Sequence, residues 1–276
     1  MLGEMNDAPI GVFDSGVGGL TVLRALRRRL PNERFIYLGD TARLPYGTKS
    51  PETVARYAEK AAGVLVERGI KLLVIACNTA SAVAVSRLAE RFAPVPVIGV
   101  IEPGAWAACA ATRSDRVLVI GTEGTINGGA YQRAIARRRP AIVVRSVACP
   151  LFVALAEEGW VRGPIPEAIA RRYLAVELSG NEDERVDTLV LGCTHFPVLR
   201  GVLQEVCGPE VSLVDSAETT ATSVARALER EGLAAGQGGG DSLHFLATDA
   251  PDRFARVGSV FLGAQLDASA VERVDL

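Results

Sequence analysis

Lysine is almost missing from this chain: of 276 residues only Lys49, Lys60 and Lys71 supply it. None of the three falls at a strand end, which argues against a pyridoxal phosphate Schiff base and for no cofactor of that kind. An excess of one charge is also lacking. Thirty basic and 32 acidic residues leave a formal net charge of −2, and no basic stripe is sustained, so nucleic acid is not expected as a partner. The triplets at 27–29 and 137–139 are all arginine, and each closes a helix-like segment just before a proline. Positive charge there complements the helix dipole. No apolar run reaches membrane-spanning length. The start MLGEMNDAPIGVF has no basic region followed by a long apolar stretch, so no signal peptide and no membrane partner are expected. The five cysteines are odd in number, widely spaced and without a CxxC pair. A disulfide framework and a metal site are therefore not expected, and a reducing cytoplasm fits.

What is present is a regular alternation. PIGVFDSG predicts a strand into a turn, LTVLRALRRRL a helix, and RFIYLGD a second strand. PETVARYAEKAAGVLVERG predicts a helix with a start signal at Ser50-Pro51. KLLVIACN predicts a third strand, followed by the helix ASAVAVSRLAERF. The order then restarts with RVLVIGTEGTINGGAYQRAIARRR, IVVRSVACP, FVALAEEG, PEAIARRYLAVEL and DTLVLGCTHF. A polar glycine-rich turn comes first each time, and a cysteine-ending strand comes third. This is the pattern of an α/β fold with two pseudo-symmetric domains, each a mainly parallel sheet flanked by helices. VSLVDSAETTATSVARALERE predicts strand, turn and helix. GLAAGQGGGDS reads as a flexible loop, and LHFLATDAPDRFARVGSVFLG as a last strand and helix. If that strand joins the first sheet, the first domain is discontinuous: residues 1–100 plus 212–276, with 101–211 as the second.

Ligands of parallel α/β sheets bind beyond the carboxyl ends of the strands. That rule selects Asp14 and Ser15, the LPYG loop with Tyr46 and Gly47, and Cys77, Asn78 and Thr79. From the second half it selects Thr122 through Thr125, Glu157 with Glu158, and Cys193, Thr194 and His195. Facing halves would bring all of these to one interdomain cleft. A lone free cysteine is usually a small core hydrophobe. Cys77 and Cys193 stand in matching strand-end contexts with polar neighbours and a helix expected to follow, which favours a thiolate. Cys109, Cys149 and Cys207 lack that context. His195 could relay a proton or sharpen the thiolate character of Cys193. His244 falls inside the strand LHFLAT and reads as structural. Asp14 could orient an ammonium group or serve as a turn carboxylate. SGVGG fails the dinucleotide pattern, since the third glycine would fall at Thr21. It reads instead as a turn whose N–H groups bind a small anion.

FDSGVGGLTV, YLGDTARLPYG, VIACNTAS and LVLGCTHFP, in this order, resemble the bacterial glutamate racemases. CPLFVALAEEG and ATDAPDRFARVGSVFLG are similar to the same family, so the resemblance spans most of the chain. It implies a cofactor-independent enzyme that interconverts L- and D-glutamate and supplies D-glutamate for peptidoglycan. It implies two catalytic thiols, Cys77 for D-glutamate and Cys193 for L-glutamate, with Asp14, Glu157 and His195 assisting. Asp14, Ser15, Tyr46, Gly47, Asn78, Thr79, Thr194 and His195 match its substrate-contacting motifs. Glu157 matches its CPxFxxLxE carboxylate, with Glu158 one residue away. Thr125 lies in GTINGGAYQ, which departs from the family's form, where a serine often precedes the tyrosine's turn. A homodimer is a family expectation. Three other readings are an aspartate or broad-specificity racemase, a non-catalytic amino-acid-binding module, and a cysteine hydrolase built on Cys193 and His195.

Overall fold

The computed structural model describes residues 6–179, 185–236 and 242–276. Part of the glycine-rich stretch expected to be a loop, 237–241, lies outside the described residues, as do residues 1–5. Two all-parallel sheets carry the fold. The first holds β1 (Ile10–Asp14), β2 (Phe35–Gly39), β3 (Leu72–Ile75) and β4 (Val97–Gly99). The second holds β5 (Arg116–Gly121), β6 (Val143–Ala148), β7 (Thr188–Gly192) and β8 (Ser212–Asp215). The strand orders are β2-β1-β3-β4 and β6-β5-β7-β8, so the repeated order along the chain is a repeated topology. β9 (Leu243–Ala247) and β10 (Val271–Arg273) extend the first sheet beyond β2.

β1, β2, β3 and β7 are buried along their whole length. Near-continuous apolar strands are what a parallel sheet covered on both faces demands. Each sheet accordingly has an apolar cluster on either side. Helix α1 (Leu20–Arg29) turns Leu20, Leu23 and Leu26 into the core and leaves its arginines at its last turn. Arg28 pairs there with Glu218, and Arg137 pairs with Glu102. Helix α2 (Pro51–Glu67) starts as expected, with the Ser50 hydroxyl accepting from Thr53 N–H at 3.3 Å.

The boundary near residue 212 needs a correction. β8 pairs with β7 in the second sheet, Thr188 opposite Ser212, although the sequence reading put it in the first domain. The helix that follows, Ser216–Glu231, buries Ala221, Val224 and Leu228 in the first sheet's core. The crossing therefore falls at Asp215 rather than before Ser212. β4 and β10, three residues each, were not anticipated. Both are edge strands, too short to show a period.

Lys71 supports the frame and not the site. Its Nζ lies 2.6 Å from Glu33 Oε2, with both side chains almost fully buried. Lys71→Ala would leave a carboxylate buried and unpaired, a loss of about 3–5 kcal/mol. Denaturant unfolding should show that loss, with KM unchanged in whatever fraction stays folded.

Candidate active site

The strand ends deliver the site. Asp14 and Gly39 close paired strands of the first sheet, and Gly121, Ala148 and Gly192 close three strands of the second. Cys77 lies two residues beyond β3, and Cys193 directly follows β7. Both thiols line one cavity of about 330 Å3 between the sheets. Ser15, Tyr46, Gly47, Asn78, Thr79, Glu157, Thr194 and His195 line it too. Of the two adjacent carboxylates, Glu157 faces the cavity and Glu158 is exposed. Among the described residues no lysine or arginine lines it, and His195 is the one basic side chain there. Among the described residues no group of three His, Cys, Asp or Glu side chains is disposed to hold a metal ion.

The thiols have different surroundings. Cys77 is the N-cap of α3 (Asn78–Arg91), and its Sγ accepts from Ala80 N–H at 3.4 Å. Ser15 Oγ stands 3.5 Å away. Burial first, and then the charge of Asp14, push the Cys77 thiol up to about 12, against the pull of Ser15 and Ala80. The helix start is thus outweighed by burial. Cys193 is not a helix cap. A 3-10 turn, Phe196–Leu199, follows it, and a helix begins only at Arg200. Its neighbour is His195, with Nδ1 3.9 Å from Sγ. His195 Nε2 meets Glu157 Oε1 at 3.1 Å. Burial pulls the imidazole down, but Cys193 and Glu157 outweigh it and hold His195 up at about 10. Glu157 is lowered by the same contact, helped by Arg253.

Several predicted residues serve the site from behind. Asp14 is fully buried and is not part of the cavity wall. Its Oδ2 accepts from Gly16 N–H at 3.0 Å, and its Oδ1 accepts from the Thr194 hydroxyl at 3.4 Å. The anion held by the SGVGG turn is therefore the chain's own carboxylate. Burial raises Asp14 despite the nearby His195. Tyr46 lines the cavity, but its hydroxyl donates to Asp40 Oδ2 at 2.6 Å. Gly47 is glycine because a Cβ would stand 2.6 Å from Thr122 Cβ, across the two halves. Thr125 is buried and reaches the cavity only through hydroxyl contacts with Thr79 and Thr122, at 3.3 and 3.1 Å. Thr122, selected with Thr125 by its place at the end of β5, is itself a wall residue. Asn78 Oδ1 accepts from Tyr131 at 2.7 Å, while its buried Nδ2 has no partner and is a free donor. His244 lies exposed in β9, away from the cavity.

Two parallel sheets meeting at their strand ends, with one thiol from each in a shared cavity, form the arrangement that the sequence resemblance leads one to expect of an amino-acid racemase. Comparison with known proteins agrees. The Asp/Glu/Hydantoin racemase family model matches residues 10–224. A glutamate racemase of Geobacter metallireducens is 55% identical over 93% of this chain and 93% of its own length. The glutamate racemase of Francisella tularensis, solved with D-glutamate, superposes with a TM-score of 0.89 at 38% identity, covering 98% of both chains. That of Thermus thermophilus, solved with beta-chloro-D-alanine, gives 0.86 at 47% identity, again over 98% of both. The chain belongs to the Asp/Glu/Hydantoin racemase family. Within it the chain falls among the glutamate racemases, and it is an amino-acid racemase.

Proposed function

We propose that the chain interconverts L- and D-glutamate, without a cofactor, by passing a proton between Cys77 and Cys193 on opposite faces of the α-carbon. The observation that carries this reading is the shared cavity, with one thiol from each sheet on its wall. In the L-to-D direction the Cys193 thiolate takes the α-proton and becomes a thiol. The Cys77 thiol gives its proton to the other face and becomes the thiolate. The electron pair left on the α-carbon leaves in the new C–H bond, and the enzyme ends ready for the reverse direction. General acid–base catalysis of this kind needs two groups in opposite protonation states.

The carbanion needs stabilising because an α-proton is very weakly acidic. Asn78 Nδ2, the hydroxyls of Ser15, Thr79, Thr122 and Thr194, and the His195 imidazolium are the available donors. Neutral donors, rather than arginine or lysine, would hold both substrate carboxylates. Such donors are preorganised and stabilise charge as it develops. The reading extends to D-glutamate supply for peptidoglycan, in the cytoplasm, by a homodimer. Among the described residues no helix is long and apolar enough to cross a membrane.

The test is α-proton exchange with solvent deuterium for each enantiomer of glutamate and of aspartate. Exchange and inversion of glutamate well ahead of aspartate is the expected result. Binding without exchange would sink the reading.

His195 allows a separate check. The chain has only two histidines, so His244→Gln leaves one imidazole signal in the NMR spectrum. The Glu157 carboxylate favours the charged imidazolium, so Glu157→Gln should move the His195 titration to lower pH. An unmoved titration would remove Glu157 from the site's electrostatics.

A further inference from the structure

We infer that the C-terminal helix, α11 (Pro251–Leu262), positions the His195–Glu157 pair beside Cys193, with Arg253 as its charged clamp and Phe261 as its wall. The inference rests on the proposed role of Cys193 as a proton carrier.

Glu157 divides its two oxygens. Oε1 meets His195 Nε2 at 3.1 Å, and Oε2 accepts from Arg253 at 2.9 Å. Glu157 ends α7 (Leu151–Glu157), a helix of the second sheet, whereas Arg253 belongs to a helix packed on the first sheet's core. With one oxygen held across the cleft, the carboxylate cannot turn outward and release the imidazole. Phe261 stands edge-on to the His195 ring, with centroids 5.1 Å apart and planes at 71°. Arg253 and Phe261 are eight residues apart, a little over two helical turns, so they stand about 80° apart around the helix and reach the pair from two sides. One rigid element thereby fixes both the tilt of the imidazole and the direction of its partner. Precise placement of a proton-handling group matters, since small displacements cost large factors in rate. The family-model match ends at residue 224, so this helix lies beyond it.

Among the described residues no corresponding clamp stands at the other thiol. The polar contacts of Cys77 are Ser15 Oγ and Ala80 N–H, and neither comes from α11. Loosening α11 should therefore slow proton transfer at Cys193 more than at Cys77. The two substrates are enantiomers of equal free energy, so kcat/KM must stay equal in the two directions for any variant. The asymmetry has to be read from isotope effects instead.

The experiment compares α-protonated and α-deuterated L- and D-glutamate on the full chain, for wild type, Arg253→Met and Arg253→Lys. Arg253 is half exposed, so Arg253→Met is expected to fold and to lose about fivefold in kcat/KM. The isotope effect should grow for the enantiomer whose proton Cys193 removes, expected to be L-glutamate, and shrink for the other. Arg253→Lys should restore most of both. Phe261→Leu, which keeps the apolar contact but not the flat edge, should move the isotope effects the same way. Unchanged isotope effects, equal changes for both enantiomers, or a lysine no better than methionine would overturn the inference. Cys193→Ser separates the two levels. If it racemises at the wild-type rate, the two-thiol reading itself fails. If it is inactive while the Arg253 isotope effects stay put, only the role of α11 fails.

Discussion

Cys77→Ala and Cys193→Ala should each lose about 10²- to 10⁴-fold in glutamate racemisation, the range general acid–base groups contribute. The expectation follows from geometry more than from thiol reactivity. Inversion needs a proton removed from one face and another delivered to the opposite face. Removing either thiol leaves one face without a proton carrier, yet leaves the other face served. Each variant should therefore keep a remnant that a general collapse of the site would not. Cys193→Ala should still exchange the α-proton of D-glutamate with solvent deuterium through Cys77, with retention of configuration. Cys77→Ala should do the same for L-glutamate through Cys193. Both cysteines are buried at the cavity wall, so circular dichroism should accompany the kinetics. The hydrolase alternative makes a different demand, because it needs Cys193 and His195 and is indifferent to Cys77. Wild-type racemisation by either alanine variant would end the two-base assignment.

Much of this was legible before any coordinates. The strand–helix alternation reflects local apolar periodicity, and the strand-end rule turned it into a site. Ser15, Gly47, Cys77, Asn78, Thr79, Thr194 and His195 all reach the cavity wall that way. What was hidden is how each side chain uses its polar atoms, because long-range packing decides that. The Tyr46 hydroxyl turns to Asp40, and the Asp14 carboxylate is held by Gly16 and Thr194, a residue 180 positions away. Arg253 carries no strand-end signal in the sequence. A single arginine on an amphipathic surface helix looks like a solvated charge, and only the meeting of α7 and α11 gives it a partner. The side of the cleft to which β8 belongs was hidden for the same reason, since strand pairing is non-local.

Gly18→Ala should be strongly damaging although it removes no functional group. A Cβ at position 18 would stand 2.4 Å from His195 Nδ1 and 2.4 Å from Thr194 Oγ1. Neither neighbour can easily give way. His195 is held by Glu157 on one side and by Phe261 at its edge. The Thr194 hydroxyl donates to buried Asp14, and its carbonyl accepts from Thr21 at 3.2 Å. One methyl group would therefore push the glycine-rich turn and the Cys193 loop apart, across the cleft between the two sheets. The imidazole would shift relative to Cys193, and a displacement near 1 Å can cost about 10²-fold in rate. Overpacking adds about 1–3 kcal/mol of lost stability. Gly63→Ala is the matched control. Its Cβ would meet nothing closer than Phe92 Cζ at 4.0 Å, in the middle of α2. There the same methyl should add about 0.5–1 kcal/mol of stability and leave kcat unchanged. Opposite signs in thermal unfolding, together with a kcat loss confined to position 18, would show that the turn is glycine because His195 and Thr194 need the space.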